Sequence, residues 1–135
     1  MPHTELIQAA LDAREQSVAP YSKFNVGAAL LTAGGEIISG ANVESASYGL
    51  SCCAERVALF KALTDGTKEH RNFTAIAIAS PNGAAPCGAC RQLLAEYASI
   101  IEVILIDSKS PKSHTSTTMD ALLPHAFTVD DFPEA

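Results

Sequence analysis

Two short stretches decide how this chain is read: Ser51-Cys52-Cys53-Ala54-Glu55-Arg56 and Pro86-Cys87-Gly88-Ala89-Cys90-Arg91-Gln92. Each stands just ahead of a segment with helical apolar spacing. From Cys53 to Leu63, Ala54, Val57, Ala58, Phe60, Ala62 and Leu63 lie around most of the circumference, which predicts a buried helix ending near Gly66. Leu93, Leu94, Tyr97 and Ala98 predict the inner stripe of a second helix over residues 88–98. The four cysteines therefore sit at two predicted helix starts, where free N–H groups and the positive end of the helix dipole favour thiolate over thiol.

Outward from these stretches, Leu6, Ile7, Ala10 and Leu11 predict an amphipathic helix over 4–16 with Thr4 as N-cap, and Pro20 marks its exit. Val26–Leu31 and Glu36–Val43 read as two strands joined at Gly34-Gly35. Phe73–Ser80 is a further strand closed by the turn Pro81-Asn82-Gly83, and Glu102–Asp107 is apolar enough for a strand covered on both faces. The polar run Ser108–Thr118 holds a turn and an edge strand, and a short helix starts near Met119 and stops before Pro124. This alternation predicts an α/β fold, one mixed sheet with helices on both faces. No repeat, low-complexity tract or linker interrupts it, so a single domain spanning 1–135 is expected.

A chain of 135 residues suits one core, burying roughly two-thirds of the surface that the unfolded chain exposes. With 47% apolar and 18% charged residues it belongs among globular proteins. Lys and Arg number 9 against 15 Asp and Glu, a net charge of −6, which argues against nucleic acid or an anionic membrane as partner. Nothing at the N-terminus resembles a signal peptide, and no apolar run reaches the roughly 18 residues of a membrane span. A reducing cytoplasm is therefore expected, where clustered cysteines bind metal or do chemistry more often than they form disulfides.

Cys87-x-x-Cys90 brings two sulfurs to one ion, and a third from Cys53 would leave the fourth position of a tetrahedral Zn²⁺ open, as a catalytic zinc requires. In the first turn of a helix, side chains tilt back toward the N-terminus, so Glu55 can reach the neighbourhood of a metal held by Cys53 and serve as base and proton shuttle. Taken singly, each element has a plainer reading. Cys87-x-x-Cys90 could be a redox pair or a structural zinc half-site, Glu55 a first-turn acid facing the helix dipole, and Cys52 and Cys53 small buried apolar residues. Together they match the three-cysteine form of the signature Cys/His-x-Glu followed by Pro-Cys-x-x-Cys.

The chain resembles the small homotetrameric cytidine deaminases. The likeness runs through Pro20-Tyr21-Ser22-Lys23-Phe24, Val26-Gly27-Ala28-Ala29-Leu30, Asn42-Val43-Glu44, the two cysteine stretches and Leu122-Leu123-Pro124. It implies a three-layer α/β/α sandwich on a five-stranded mixed sheet. The implied reaction is hydrolytic deamination of cytidine and 2′-deoxycytidine, with zinc-bound hydroxide attacking C4 while Glu55 shuttles protons. One Zn²⁺ per subunit would be held by Cys53, Cys87 and Cys90. Asn42 and Glu44 would hold the ribose hydroxyls, with Glu44 repelling a 5′-phosphate, Phe24 would pack on the pyrimidine, and Ala54 would be a further substrate-binding residue. Ala46, Tyr48 and Phe127 resemble segments contributed across subunits, which implies a homotetramer with shared sites.

Three thiolates on Zn²⁺ leave a net charge of −1 and a weaker Lewis acid, so Arg56 is expected to offset that charge by hydrogen bonding to a sulfur. Ser45 departs from the Asn usual in the family, and Cys52 is an extra thiol expected to be a packed non-ligand. His3, His70, His114 and His125 fall outside the motifs and are expected to be solvated or structural. Two competing readings share parts of the pattern. A deaminase of a related aminopyrimidine nucleoside would keep the chemistry and change the pocket, whereas a structural four-cysteine zinc module would give Glu55 no role.

Overall fold

The computed structural model describes residues 3–132. Its frame is a five-stranded sheet in the order β2-β1-β3-β4-β5, with β1 at Gly27–Thr32, β2 at Ile37–Ala41, β3 at Phe73–Ser80, β4 at Glu102–Asp107 and β5 at Thr115–Thr118. Only β3 and β4 run parallel; the other neighbours are antiparallel, so the sheet is mixed as expected. The helices are α1 at Thr4–Ala13, α2 at Ala54–Thr64, α3 at Gly88–Tyr97 and the single turn α4 at Met119–Leu122.

The layers follow from strand alternation, since successive side chains point to opposite faces. On β3, Ala75, Ala77 and Ala79 join Leu6 and Ala10 of α1 in one core cluster, while Ile76 and Ile78 join Ala58 and Leu59 of α2 and Leu94 of α3 in the other. The strand β4 divides in the same way: Ile104 and Ile106 face α1, and Val103 faces α2 and α3. The result is the three-layer α/β/α sandwich.

Two glycines set how closely the helices approach. A Cβ on Gly27 would stand 2.2 Å from the carbonyl oxygen of Ala10 and 2.5 Å from the amide nitrogen of Arg14, and one on Gly40 would stand 2.6 Å from the amide nitrogen of Ala58. The backbones of α1 and α2 thus lie directly against opposite faces of the β1–β2 hairpin.

Several expectations need correction. Thr4 is inside α1; His3 precedes it and makes no side-chain cap, and its Nε2 instead meets Glu102 at 2.8 Å. The helix proper stops at Ala13 and tightens into a 3₁₀ turn, Arg14–Gln16. The strand β2 ends at Ala41, so Asn42 and Val43 lie beyond it, where Val43 bridges to Val18 and Cys52. Helix α2 is covered on one side only, leaving Phe60 42% exposed, and Ala95 rather than Tyr97 completes the buried stripe of α3.

Gly27→Ala is expected to destabilise the fold by about 1–3 kcal/mol, because the new methyl meets helix backbone that cannot move aside. The midpoint of denaturant unfolding measures it.

Candidate active site

One end of the sheet gathers the start of β1, the ends of β2 and β3, and the first turns of α2 and α3 around a cavity of about 190 Å³. Its lining includes Phe24, Val26, Asn42, Cys53, Ala54, Glu55, Ile78, Ser80, Ala84, Ala85 and Cys87. Cys53 and Cys87 occupy equivalent positions, the extended residue just before α2 and α3 respectively. Cys90 lies one turn into α3 and is fully buried.

The three sulfurs of Cys53, Cys87 and Cys90 lie within 4.8 Å of one another. Cys53 Sγ and Cys87 Sγ are 3.7 Å apart, and Cys87 Sγ and Cys90 Sγ 3.5 Å. Tetrahedral thiolates at a Zn–S distance of about 2.3 Å stand about 3.8 Å from each other, so this donor set fits zinc. Among the described residues no other His, Cys, Asp or Glu group clusters in this way. All four cysteines are free thiols, and Cys52 stays outside the cluster. Cys52 is bridged to Val43 in extended backbone ahead of α2, where the side chains of Cys52 and Cys53 diverge.

Electrostatics divide the thiols. Cys53 is pulled down to about 5 by the hydrogen bond from Cys90 and, against its burial, by hydrogen bonds from Arg56 and Cys87. Cys90 is pushed up as the donor in that pair and by burial. Burial also raises Cys52. The Arg56 guanidinium reaches Cys53 Sγ through Nη2 at 3.6 Å, and that contact strengthens its hold on its proton. Glu55, only 5% exposed, is pushed up to about 7, chiefly by burial.

The remaining expected residues separate into two sets. Phe24, Asn42 and Ala54 border the cavity. Glu44 is outside its lining: its Oε1 accepts the backbone N–H groups of Tyr21 and Ser22 at 3.1 Å, and its Oε2 accepts the Ser22 hydroxyl, which holds its carboxyl below the usual range. Ala46 is exposed, and Tyr48 is 79% and Phe127 54% exposed, away from this chain's own cavity. Phe127 stacks edge-on against Phe132, and its carbonyl accepts from Gln92 of α3 at 2.6 Å. Arg91 holds the carbonyls of Pro86 at 2.7 Å and Leu122 at 2.8 Å, so the residues just after Cys90 tether the C-terminal segment to the metal-site helix. Ser45 accepts from Ser47 and donates its backbone N–H to Ser51, so this position still organises its loop.

Ser80, Ala84 and Ala85 line the cavity without having been singled out in the sequence. Their signal was the position of the turn after β3, where Ser80 Oγ accepts the backbone N–H of Ala84 at 3.0 Å and folds the loop back over the strand end.

The model of the cytidine and deoxycytidylate deaminase zinc-binding region matches residues 1–106. The chain belongs to this family. It is 44% identical to a cytidine deaminase of Halalkalibacterium halodurans over 97% of this chain and 98% of that protein. A cytidine deaminase crystal structure from Burkholderia pseudomallei superposes with a TM-score of 0.86 at 48% identity, covering 94% of this chain and 100% of that one. A blasticidin-S deaminase of Bacillus cereus is more distant, 32% identical over 79% of each chain. The family's zinc-binding region includes the three-sulfur cluster, and zinc is the metal cofactor.

In metal-free protein at about pH 6.5, Cys53 is expected to be alkylated by iodoacetamide faster than Cys52, since the thiolate is the reactive form. Fragment-level mass spectrometry separates the two adjacent sites, and added zinc is expected to protect Cys53.

Proposed function

We propose that this chain, acting as one domain over 1–135, hydrolyses cytidine and 2′-deoxycytidine to uridine and 2′-deoxyuridine with release of ammonia. The observation that carries this reading is a buried carboxyl, Glu55, two residues from Cys53 and bordering the same cavity as a zinc-spaced sulfur cluster.

Cys53, Cys87 and Cys90 hold the Zn²⁺. When bound there, the metal supplies Lewis acidity that lowers the pKa of water and makes it a nucleophile at neutral pH. Glu55 moves the protons. With a pKa near 7, set chiefly by burial, it can take up and return a proton at neutral pH. It accepts one from water as the C4–O bond forms, protonates N3, and passes a second proton to the exocyclic nitrogen as the C4–N bond breaks. One water is consumed and one ammonia leaves.

Phe24 and Ala54 pack against the pyrimidine, while Asn42 and Glu44 take the sugar hydroxyls. Ionised Glu44 disfavours a 5′-phosphate. Arg56 tunes the metal by donating to Cys53 Sγ, drawing charge from a thiolate that would otherwise weaken the Lewis acid. The cavity of about 190 Å³ falls short of the roughly 300 Å³ at which small-molecule pockets begin, so further walls are needed. Ala46, Tyr48 and Phe127 of neighbouring subunits supply them in a homotetramer, a reading supported by the exposure of Tyr48, Leu50, Phe60 and Phe127. Among the described residues no helix is long and apolar enough to cross a membrane. The free thiols at the site suit the reducing cytoplasm.

Glu55→Gln is expected to keep zinc and its fold but to lose about 10²–10⁴-fold in ammonia release from cytidine, the usual worth of general acid–base catalysis. Undiminished deamination by this variant would contradict the proton-shuttle role. Arg56→Ala is expected to cost about 10–100-fold in metal affinity or turnover, as loss of an outer hydrogen bond to a ligand does. Zinc titration and kcat across pH measure it, and no change in either would remove Arg56 from the machinery.

A further inference from the structure

The side chain of Asn42 is pinned more completely than its place at the cavity edge requires. Its Oδ1 accepts the backbone N–H of Val26 at 2.9 Å, and its Nδ2 donates to the carbonyl of Phe24 at 2.9 Å. A backbone N–H can only donate and a carbonyl can only accept, so these two contacts fix which end of the amide is oxygen. Ser17 Oγ is hydrogen-bonded to the same Oδ1. Because that oxygen cannot donate, the single hydroxyl proton of Ser17 must go to Asn42. Asn25 Oδ1 stands 3.2 Å from the same hydroxyl, which has only one proton to give.

Two donors fill both lone pairs of Asn42 Oδ1, and one N–H of Nδ2 remains uncommitted beside the cavity. Asn42 can offer a ligand only a donor. Glu44 is the complement: an ionised carboxylate offers only acceptors. A sugar hydroxyl has one proton to give and lone pairs to fill, so it matches a donor such as Asn42 and an acceptor such as Glu44 alike. A ligand carrying an ether or a halogen there would bring Glu44 no proton beyond those it accepts from Tyr21 and Ser22.

We propose that Ser17 is a positioning residue: by filling the second lone pair of Asn42 Oδ1 it braces the amide that Val26 and Phe24 orient and leaves only its free N–H to donate to a sugar hydroxyl. This rests on the assignment of Asn42 and Glu44 to the sugar in the proposed function. Ser17 touches neither the substrate nor the metal in this scheme. Its effect is confined to substrates that carry the hydroxyl.

Steady-state kinetics on cytidine and on 2′,3′-dideoxycytidine, which lacks both sugar hydroxyls, test it in Ser17→Ala, Ser17→Thr and Asn42→Ala. Ser17→Ala is expected to lower kcat/KM for cytidine relative to the dideoxy analogue by about three- to tenfold, the worth of one hydrogen bond, with the loss in KM. Ser17→Thr keeps the hydroxyl at a residue whose extended backbone, φ −63° and ψ 141°, accepts a β-branched side chain, so it is expected to restore the ratio. An equal loss on both substrates, a loss carried by kcat, or failure of Ser17→Thr to restore the ratio would overturn the role. Asn42→Ala separates the two levels. If it lowers the ratio and Ser17→Ala does not, only the positioning role falls; if it affects both substrates equally, the sugar assignment falls and the positioning role with it.

Discussion

Everything at this site depends on two helices beginning at the same point in space. Cys53 precedes α2 and Cys87 precedes α3, and their sulfurs stand 3.7 Å apart although the residues are 34 positions apart in the chain. Bringing two helix N-termini together would concentrate positive dipole ends and unpaired N–H groups, an unfavourable pairing unless negative charge lies between them. Thiolates supply that charge, and cysteine binds zinc as the thiolate. The requirement of the fold and that of the metal are met by the same three side chains.

The rest of the architecture holds this meeting point in place. Alanines on β3 and glycines at Gly27 and Gly40 let α1 and α2 lie close against the sheet, while Ile76 and Ile78 fill the space beneath α2 and α3. Glu55 enters the low-dielectric floor of the cavity because α2 begins there, and burial is what lifts its pKa. Arg91 and Gln92 then tie the C-terminal segment to α3 through the carbonyls of Leu122 and Phe127. One short stretch, Cys87 to Gln92, thus serves the metal, the helix and the chain end together.

Most of the framework was legible in the sequence because its signals are local: apolar periodicity for α1 and α2, the Gly34-Gly35 turn, the apolar run of β4, and the spacing of Cys87 and Cys90. The cluster of three sulfurs was legible as a combination that no single element would have specified. What escaped depends on long-range packing. Tyr97 has the right spacing for the inner stripe of α3, yet half of its surface is exposed, because Ala95 and Ala98 already meet the sheet there. Phe60 looked buried because α2 is apolar nearly all round, but only one side of that helix has the sheet to cover it. The network of Asn25, Ser17 and Asn42 joins residues that are unremarkable one by one, and only tertiary distances reveal it.

The central claim is that one zinc is shared by Cys53, Cys87 and Cys90 and not by Cys52. Zinc content per chain, measured by atomic emission on purified protein and on the four single Cys→Ser variants, tests it most directly. One zinc per chain is expected in the parent and in Cys52→Ser, with loss of zinc in Cys53→Ser, Cys87→Ser and Cys90→Ser. Full retention of zinc in any of those three, or its loss in Cys52→Ser, would contradict the claim.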